Sequence, residues 1–209
     1  LVEAGHTVED LGLYLLARHA EERNAYVQEI NPEFTEGGSG LTNEEASDIL
    51  DEYEGSGIET FAAEFYDKVP RAALRIRREA ELLDDEDVAS LQSRWEFYVP
   101  LKGKAGETTY PRTGKGISVA GKEFKQARGR QSLPDNPFVQ ALIDYEEAVI
   151  RAEKNRVGQA MLSLVEANPS DAWSAEKQQF RPIFDAEGEL QYMEPRTQQL
   201  PDNVMGVKR

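Results

Sequence analysis

Apolar residues recur along most of the chain at the three- and four-residue steps that place them on one face of an α-helix. The first stripe consists of Leu13, Leu16, Ala20, Val27 and Ile30. Thr7 is a suitable N-cap, since acidic residues follow it in the first turn. Asn31 precedes a proline, a position that disfavours the α conformation. The pattern therefore predicts a helix that begins near Val8 and ends at Asn31.

Further helical stretches follow in chain order. Thr42 and Glu45 form a capping-box pattern, which predicts a helix over residues 44–53. A helix over residues 58–83 is expected to kink at Pro70. The four acids at 84–87 begin a helix that we expect to continue through Trp95 and Tyr98 until Pro100. The longest helix is predicted over residues 138–167, where Ile143, Ile150, Val157 and Leu164 recur every seven residues, a spacing typical of a partner-binding face.

The predicted fold is mainly α, with long antiparallel helices, an irregular basic loop and an extended C-terminal tail. Residues 180–184 and 189–193 are candidate strands of a β-hairpin in that tail. Four regions follow from the composition. They are an N-terminal helical part (1–99), a basic Gly- and Lys-rich loop (100–133), a long helix that packs on the N-terminal part (134–169), and a tail that begins further structure (170–209).

Two polar clusters interrupt the apolar stripes in the middle of the first and last helices. The first consists of His19, Glu22, Arg23 and Asn24, and the second of Arg151, Glu153, Asn155 and Arg156. Half-buried charges are tolerated only when they are paired and hydrogen-bonded. We therefore expect the two helices to pack together, with Glu22 paired to Arg151 or Arg156 and Glu153 paired to Arg23.

The chain is strongly acidic, with 39 Asp and Glu against 24 Lys and Arg and a formal net charge of -15. Such a charge generally repels nucleic acid and anionic membranes. No cysteine is present, which excludes disulfides and thiolate metal sites in these 209 residues. No apolar run approaches the length of about 18 residues expected of a membrane-spanning helix.

Residues 98–133 reverse this charge, with eight basic and two acidic residues. One interpretation is nucleic-acid contact by a module that uses residues 102–130. The other, which the overall charge favours, is a loop that neutralises acidic helices of its own chain or of a neighbour. The candidate nucleic-acid contacts are Lys102, Lys104, Lys115, Lys122, Lys125, Arg128 and Arg130.

A second group of basic residues lies in the predicted helix over 58–83. Arg71, Arg75, Arg77 and Arg78 form either a nucleic-acid face or, as the charge pattern favours, a solvated face. In the second case we expect i,i+4 pairs of Arg75 with Glu79 and of Arg77 with Glu81.

The residues contain no complete catalytic, metal or cofactor motif. His19 is not accompanied by a Gly-x-Ser-x-Gly nucleophile elbow, and carboxylates alone are poor additional ligands for zinc. We expect His19 to be a buried partner of Glu22 or Arg23 and not a catalytic base. Gly114-Lys115-Gly116 lacks the remaining positions of a P-loop. A cell-wall lyase that uses Glu22 as its general acid is an alternative, although the charged neighbours of Glu22 favour a salt bridge.

Four groups of residues carry a resemblance to a known family. They are ARHAEERN followed by a proline and GGSGLTNEEASDIL, then FYVPLKG at 97–103, KQARGRQS at 125–132, and VIRAEKNRVGQAMLSLVEANP at 149–169. In this order they resemble a segment of the large polyvalent proteins of tailed bacteriophages. The resemblance implies a multi-module polypeptide, carried in the virion in some cases and ejected into the host cell with the genome. Its partners would be other modules of the polypeptide or other virion proteins.

From the resemblance and the residues together, we expect a fragment of such a polypeptide. Its first residue is Leu and its last stretch has no helix end. The expected function is that of a non-catalytic structural or assembly module, located in the phage virion. The alternatives are a DNA-binding module and a cell-wall lyase.

Overall fold

A computed structural model describes residues 1, 5–32, 37–103, 119, 123–124, 127–170, 180–184 and 190–195. The described chain is mainly helical, as predicted. The helices are α1 (Val8–Ile30), α2 (Asn43–Glu52), α3 (Ile58–Lys68), α4 (Pro70–Glu79), α5 (Asp85–Arg94) and α6 (Pro137–Ala167). Two strands, β1 (Phe180–Phe184) and β2 (Leu190–Pro195), pair in antiparallel register. The turn predicted between them lies outside the described residues, so the β-hairpin stays a prediction.

Local sequence signals set the helix starts. The Thr7 hydroxyl accepts a hydrogen bond from the Asp10 N–H at 3.1 Å, and the Asp10 carboxylate accepts one from the Thr7 N–H at 2.7 Å. Thr42 and Glu45 make the same reciprocal pair at the start of α2. Each capping box satisfies N–H groups that have no partner within the helix. The predicted starts of α1 and α2 are confirmed.

Two helices are shorter than predicted. The stretch over 58–83 divides at Pro70, which is the first residue of α4, and α4 ends at Glu79. The helix expected to reach Pro100 ends at Arg94, and Trp95 has an extended backbone. The reason is a tertiary contact: the Glu22 carboxylate accepts hydrogen bonds from the N–H groups of Glu96 at 2.8 Å and Phe97 at 3.1 Å. These N–H groups bond to α1 instead of continuing the helix.

The main core forms where α1, α3 and α6 meet. It contains Leu15 and Ile58, both fully buried, and Ala141 of α6. A second cluster, around Leu16, joins α1 to α2. Helix α1 contributes to both clusters and is buried over most of its circumference. Of the first predicted stripe, Leu16, Ala20 and Val27 are buried, whereas Ile30 is exposed.

The start of α6 is fixed to the start of α1. The Asn136 side chain caps α6 and donates a hydrogen bond to the Val8 carbonyl at 3.1 Å. A Cβ atom on Gly12 would lie 2.3 Å from the Asn136 Oδ1 atom, so a side chain at this position would displace the Asn136 side chain from its contacts. These contacts join the first turns of both helices, whereas an antiparallel pair would bring the start of one to the end of the other. The predicted antiparallel arrangement is not confirmed.

Helix α6 carries an exposed apolar stripe. Its residues are between 37% and 62% exposed and are Val139, Leu142, Val149, Val157 and Leu164. At 100° per residue they fall within about 80° of the helix circumference. The buried residues of α6, such as Asp144, Ala148 and Arg151, lie on the opposite side. We call the five exposed apolar residues the α6 stripe.

Within the described residues, no helix is long and apolar enough to span a membrane.

Candidate functional site

A buried salt bridge joins α4 to α6. The Arg77 side chain, whose residue is 1% exposed, donates to both carboxylate oxygens of Asp144 at 3.1 Å and to the Asp144 carbonyl at 3.2 Å. This bidentate geometry is the strongest form of an arginine–carboxylate contact. It fixes the position of one helix relative to the other.

Further charges extend this contact into a network. Glu123 accepts hydrogen bonds from Arg77 at 3.2 Å and from Arg151 Nε at 2.8 Å. The Lys102 ammonium group lies 3.5 Å from Asp144 and 3.2 Å from Glu147. We call these six residues the ion-pair network. It connects α4 and α6 to two positions of the segment predicted as a basic loop.

The electrostatics of the network favour the charged state of Arg77. Burial lowers the pKa of its guanidinium group, but Asp144 and then Glu123 outweigh burial, and the pKa is raised. Arg77 therefore stays protonated at any pH at which the protein is folded. A permanently charged group that is surrounded by carboxylates is suited to holding helices together.

Arg77 corrects the prediction of a solvated basic face on α4. Arg75 and Glu79 do lie within 4.0 Å of each other on the surface. The predicted pair of Arg77 with Glu81 is wrong, since Arg77 turns inward to Asp144. A sequence signal was present: Ala73 and Ala80 lie four residues before and three after Arg77, and both are buried. Small residues at this spacing mark the packed face of a helix.

In the first polar cluster, His19 and Asn24 are buried, and Glu22 and Arg23 are half-buried. The expected pairing of His19 with Glu22 is confirmed, but the partners expected from the second cluster are not found. The His19 Nδ1 atom lies 2.6 Å from Glu22, whose carboxylate also holds the backbone at residues 96 and 97. The predicted pairing of Glu22 with Arg151 or Arg156 is wrong, as is that of Glu153 with Arg23. The reason is that other groups occupy these side chains: Glu22 accepts the N–H groups of Glu96 and Phe97, and Arg151 bonds to Glu123.

The second cluster also has separate partners. Arg151 bonds to Glu123, and Asn155 donates to the Ala80 carbonyl at 2.8 Å. Arg156 pairs with Glu153 on the surface of the same helix. The two clusters therefore do not form one network. Each fastens its helix to a different part of the chain.

Asn24 is fully buried and holds the glycine-rich turn that follows α1. Its amide group donates to the Leu41 carbonyl at 3.0 Å and to Asn43 at 2.8 Å, and its oxygen accepts from the Ser39 N–H at 2.8 Å. Gly38 in this turn has φ +123°, and a Cβ atom there would lie 2.8 Å from Val27. The turn thus packs against α1 so closely that a side chain at this position does not fit.

The pKa of His19 predicts how stability depends on pH. Burial lowers this pKa more than the Glu22 carboxylate raises it. As pH falls, His19 therefore binds a proton in the unfolded chain before it does so in the folded chain. The stabilisation by neutral His19 is complete above the usual histidine pKa of about 6.5 and is lost as pH falls below it. We expect the free energy of unfolding to fall by up to about 1.4 kcal/mol per pH unit from this group. Urea denaturation between pH 7.5 and 5 measures the slope.

The matched variant is His19→Gln, which removes the titration. The slope of unfolding free energy against pH should be smaller for this variant than for the unmodified protein over the same range. The carboxylates contribute equally to the slopes of both proteins, and only the unmodified protein has the titrating His19. Equal slopes for the two proteins would contradict the burial of a neutral imidazole.

The predicted nucleic-acid contacts lie partly within the described residues. Lys102 belongs to the ion-pair network. The Arg130 guanidinium donates to the carbonyls of Leu101 at 3.2 Å, Ser132 at 2.7 Å and Leu133 at 3.1 Å. Arg128 is exposed. Lys104, Lys115, Lys122 and Lys125 lie outside the described residues. Lys102 thus pairs with carboxylates of α6, as the interpretation of internal neutralisation predicts, whereas Arg130 bonds to backbone carbonyls.

A cleft opens between α4 and the segment that runs from Leu91 to Tyr98. It encloses about 630 Å³. Aromatic side chains form much of its lining, and Arg77 and Asp144 of the ion-pair network reach it. The hydroxyl of Tyr66, which also lines the cleft, is buried without a hydrogen-bond partner among the described residues. The sequence does not reveal this cleft, because its walls come from five helices and two connecting segments.

In comparisons with known proteins, no family model, no curated protein and no solved structure matches this chain. Within the described ranges, no group of three or more His, Asp or Glu side chains is placed to hold a metal ion. The assignment of function therefore rests on the geometry of the described residues and on the sequence resemblance.

Proposed function

We propose that this chain is a non-catalytic structural or assembly module of a phage large polyvalent protein. The observation that carries the proposal is the α6 stripe, an apolar surface on the longest described helix that the other described residues leave exposed. The resemblance to polyvalent proteins supplies the context. In that context the module docks other modules of the same polypeptide, or other virion proteins, within the particle.

The geometry of α6 suits this role. Its 31 residues give a length of about 46 Å. On one side of α6, three residues make buried polar contacts: Asp144 to α4, Arg151 to Glu123 and Asn155 to Ala80. The α6 stripe lies on the other side, and its residues from Leu142 onward follow steps of seven or eight. A partner helix that packs into such a stripe buries apolar surface along the full length of α6.

The ion-pair network supports the structural role. The carboxylates of Asp144 and Glu123 both accept bonds from buried arginines. The charged groups of the network are thus used to join α4 to α6.

We further propose that the tail, residues 170–209, is a second docking element that uses the strands β1 and β2.

A nucleic-acid-binding module is the alternative, and exposed Arg128 favours it. The internal contacts of Lys102 and Arg130 favour the structural role instead. DNA affinity that falls steeply with salt and is lost on neutralising Lys115 and Lys122 would support the alternative. For a cell-wall lyase, Glu22 would have to give up the backbone N–H groups that it holds.

Peptide mapping of purified phage particles tests the proposal. We expect peptides of this chain in the particles, within a polypeptide much longer than 209 residues. A photo-crosslinking residue at Val157, in the α6 stripe, should capture another segment of that polypeptide or a virion protein. The same residue at exposed Arg75 on α4 is the control and should capture neither.

Two outcomes would contradict the proposal. One is that the peptides occur only in infected cells, as a short separate protein. The other is that crosslinks from Val157 and Arg75 are indistinguishable, since the α6 stripe would then have no specific partner.

A further inference from the structure

The cleft beside the ion-pair network has the size and lining of a small-molecule site. Its volume of about 630 Å³ lies in the range typical of ligand pockets. Tyr66, Trp95, Tyr98 and Phe124 supply aromatic surfaces, and Leu74 adds an aliphatic one. The end of helix α5, a helix in which only Val88 is buried, continues into the outer wall of the cleft. These surfaces favour a planar ring.

Tyr66 and Arg77, which line this cleft, carry hydrogen-bond donors. The Tyr66 hydroxyl is buried and has no partner among the described residues. Arg77 offers five N–H groups, of which four are used in bonds to Glu123 and Asp144. Burial raises the pKa of Tyr66, so its hydroxyl stays protonated and can donate. A ligand here must present acceptors.

The charges around the cleft favour an anion. Arg71 and Arg94 line it with exposed guanidinium groups; Arg71 reaches Asp67 at 4.0 Å, and Arg94 lies 4.8 Å from the Tyr26 ring centre. The lining carboxylates of Glu22 and Asp144 already accept hydrogen bonds from the protein. Exposed Glu96 is the remaining acid of the lining. A cationic ligand would therefore find few free acceptors.

We propose that this cleft binds a small planar aromatic anion, with its ring among Tyr66, Trp95 and Phe124 and its acidic group toward Arg71 and Arg94. The Tyr66 hydroxyl donates to an acceptor on the ligand. This binding activity goes beyond the proposed assembly role, because it involves neither the α6 stripe nor the tail.

Isothermal titration calorimetry with 2-naphthoate tests the site, and 2-naphthylmethylammonium serves as the matched probe of opposite charge. We expect one site for 2-naphthoate and at least about tenfold weaker binding of the ammonium compound. Tyr66→Phe should weaken 2-naphthoate binding by about five- to tenfold. The same variant should keep or raise the thermal midpoint, since it removes a buried hydroxyl without a partner.

Two further variants locate the site. Leu74→Trp fills the cleft and should abolish binding, and Arg71→Gln should weaken it about three- to tenfold. Arg75→Gln, on the same helix but outside the cleft, is the control and should change nothing. The proposal is overturned if 2-naphthoate gives no binding at millimolar concentration or if both probes bind equally. Unchanged binding in Tyr66→Phe and Arg71→Gln would also overturn it.

Discussion

Replacement of Arg77 by methionine is expected to lower the free energy of unfolding by about 3–5 kcal/mol. The substitution keeps an unbranched side chain of similar length but removes the positive charge. Asp144 and Glu123 then remain buried, with one cation fewer to compensate them. Leaving a buried charge without its partner costs more than the salt bridge itself contributes. Urea denaturation, followed by circular dichroism, measures the change.

Arg75→Met is the matched control, because Arg75 lies on the same helix and its side chain is 67% exposed. We expect its effect to stay within about 0.5 kcal/mol. The double variant Arg77→Met with Asp144→Leu should recover part of the loss, since both members of the pair are then apolar. A cost below about 1 kcal/mol for Arg77→Met would show that the pair is not buried in solution.

Asn24→Ala is expected to destabilise the protein by about 2–4 kcal/mol. The Ser39 N–H loses its acceptor, and Asn43 and Leu41 lose a donor, in a region where Asn24 and Ser39 are fully buried. The glycine-rich turn should then open locally as well. Hydrogen exchange measures this directly, because the Ser39 amide should exchange much faster in the variant than in the unmodified protein.

Exposed Glu21, on the same helix, provides the control for this experiment. Glu21→Ala should leave both the free energy of unfolding and the exchange of Ser39 nearly unchanged. Retained protection of the Ser39 amide in Asn24→Ala would mean that another group holds the turn.

The parts of the fold that were predictable are those that neighbouring residues determine. The start of α1 at Thr7, the capping box at Thr42 and the break at Pro70 each depend on contacts within four residues. The end of α5 was not predictable on this basis. Its apolar stripe continues through Trp95 and Tyr98, but Glu22, about 75 residues earlier, holds the next N–H groups.

The candidate site was predictable only in part, for the same physical reason. The interrupted stripes of α1 and α6 indicated half-buried polar residues, and His19, Asn24 and Arg151 are buried. The pairing of His19 with Glu22, three residues away, was expected. The distant partners were not indicated, because Asn155 bonds to Ala80, 75 residues away, and the neighbouring residues carry no signal of that pairing. Arg77 was missed since an arginine among charged neighbours normally lies in solvent.

The contacts of Asn24 span only 15 to 19 residues of chain, whereas Arg77 reaches Asp144 across 67. Closing a short loop costs less conformational entropy than closing a long one. Because a chain is synthesised from its N-terminus, α1, the glycine-rich turn and α2 can assemble before α6 has left the ribosome. The ion pair of Arg77 with Asp144 needs α6, so the positive charge of Arg77 can leave water only after this early unit is able to form.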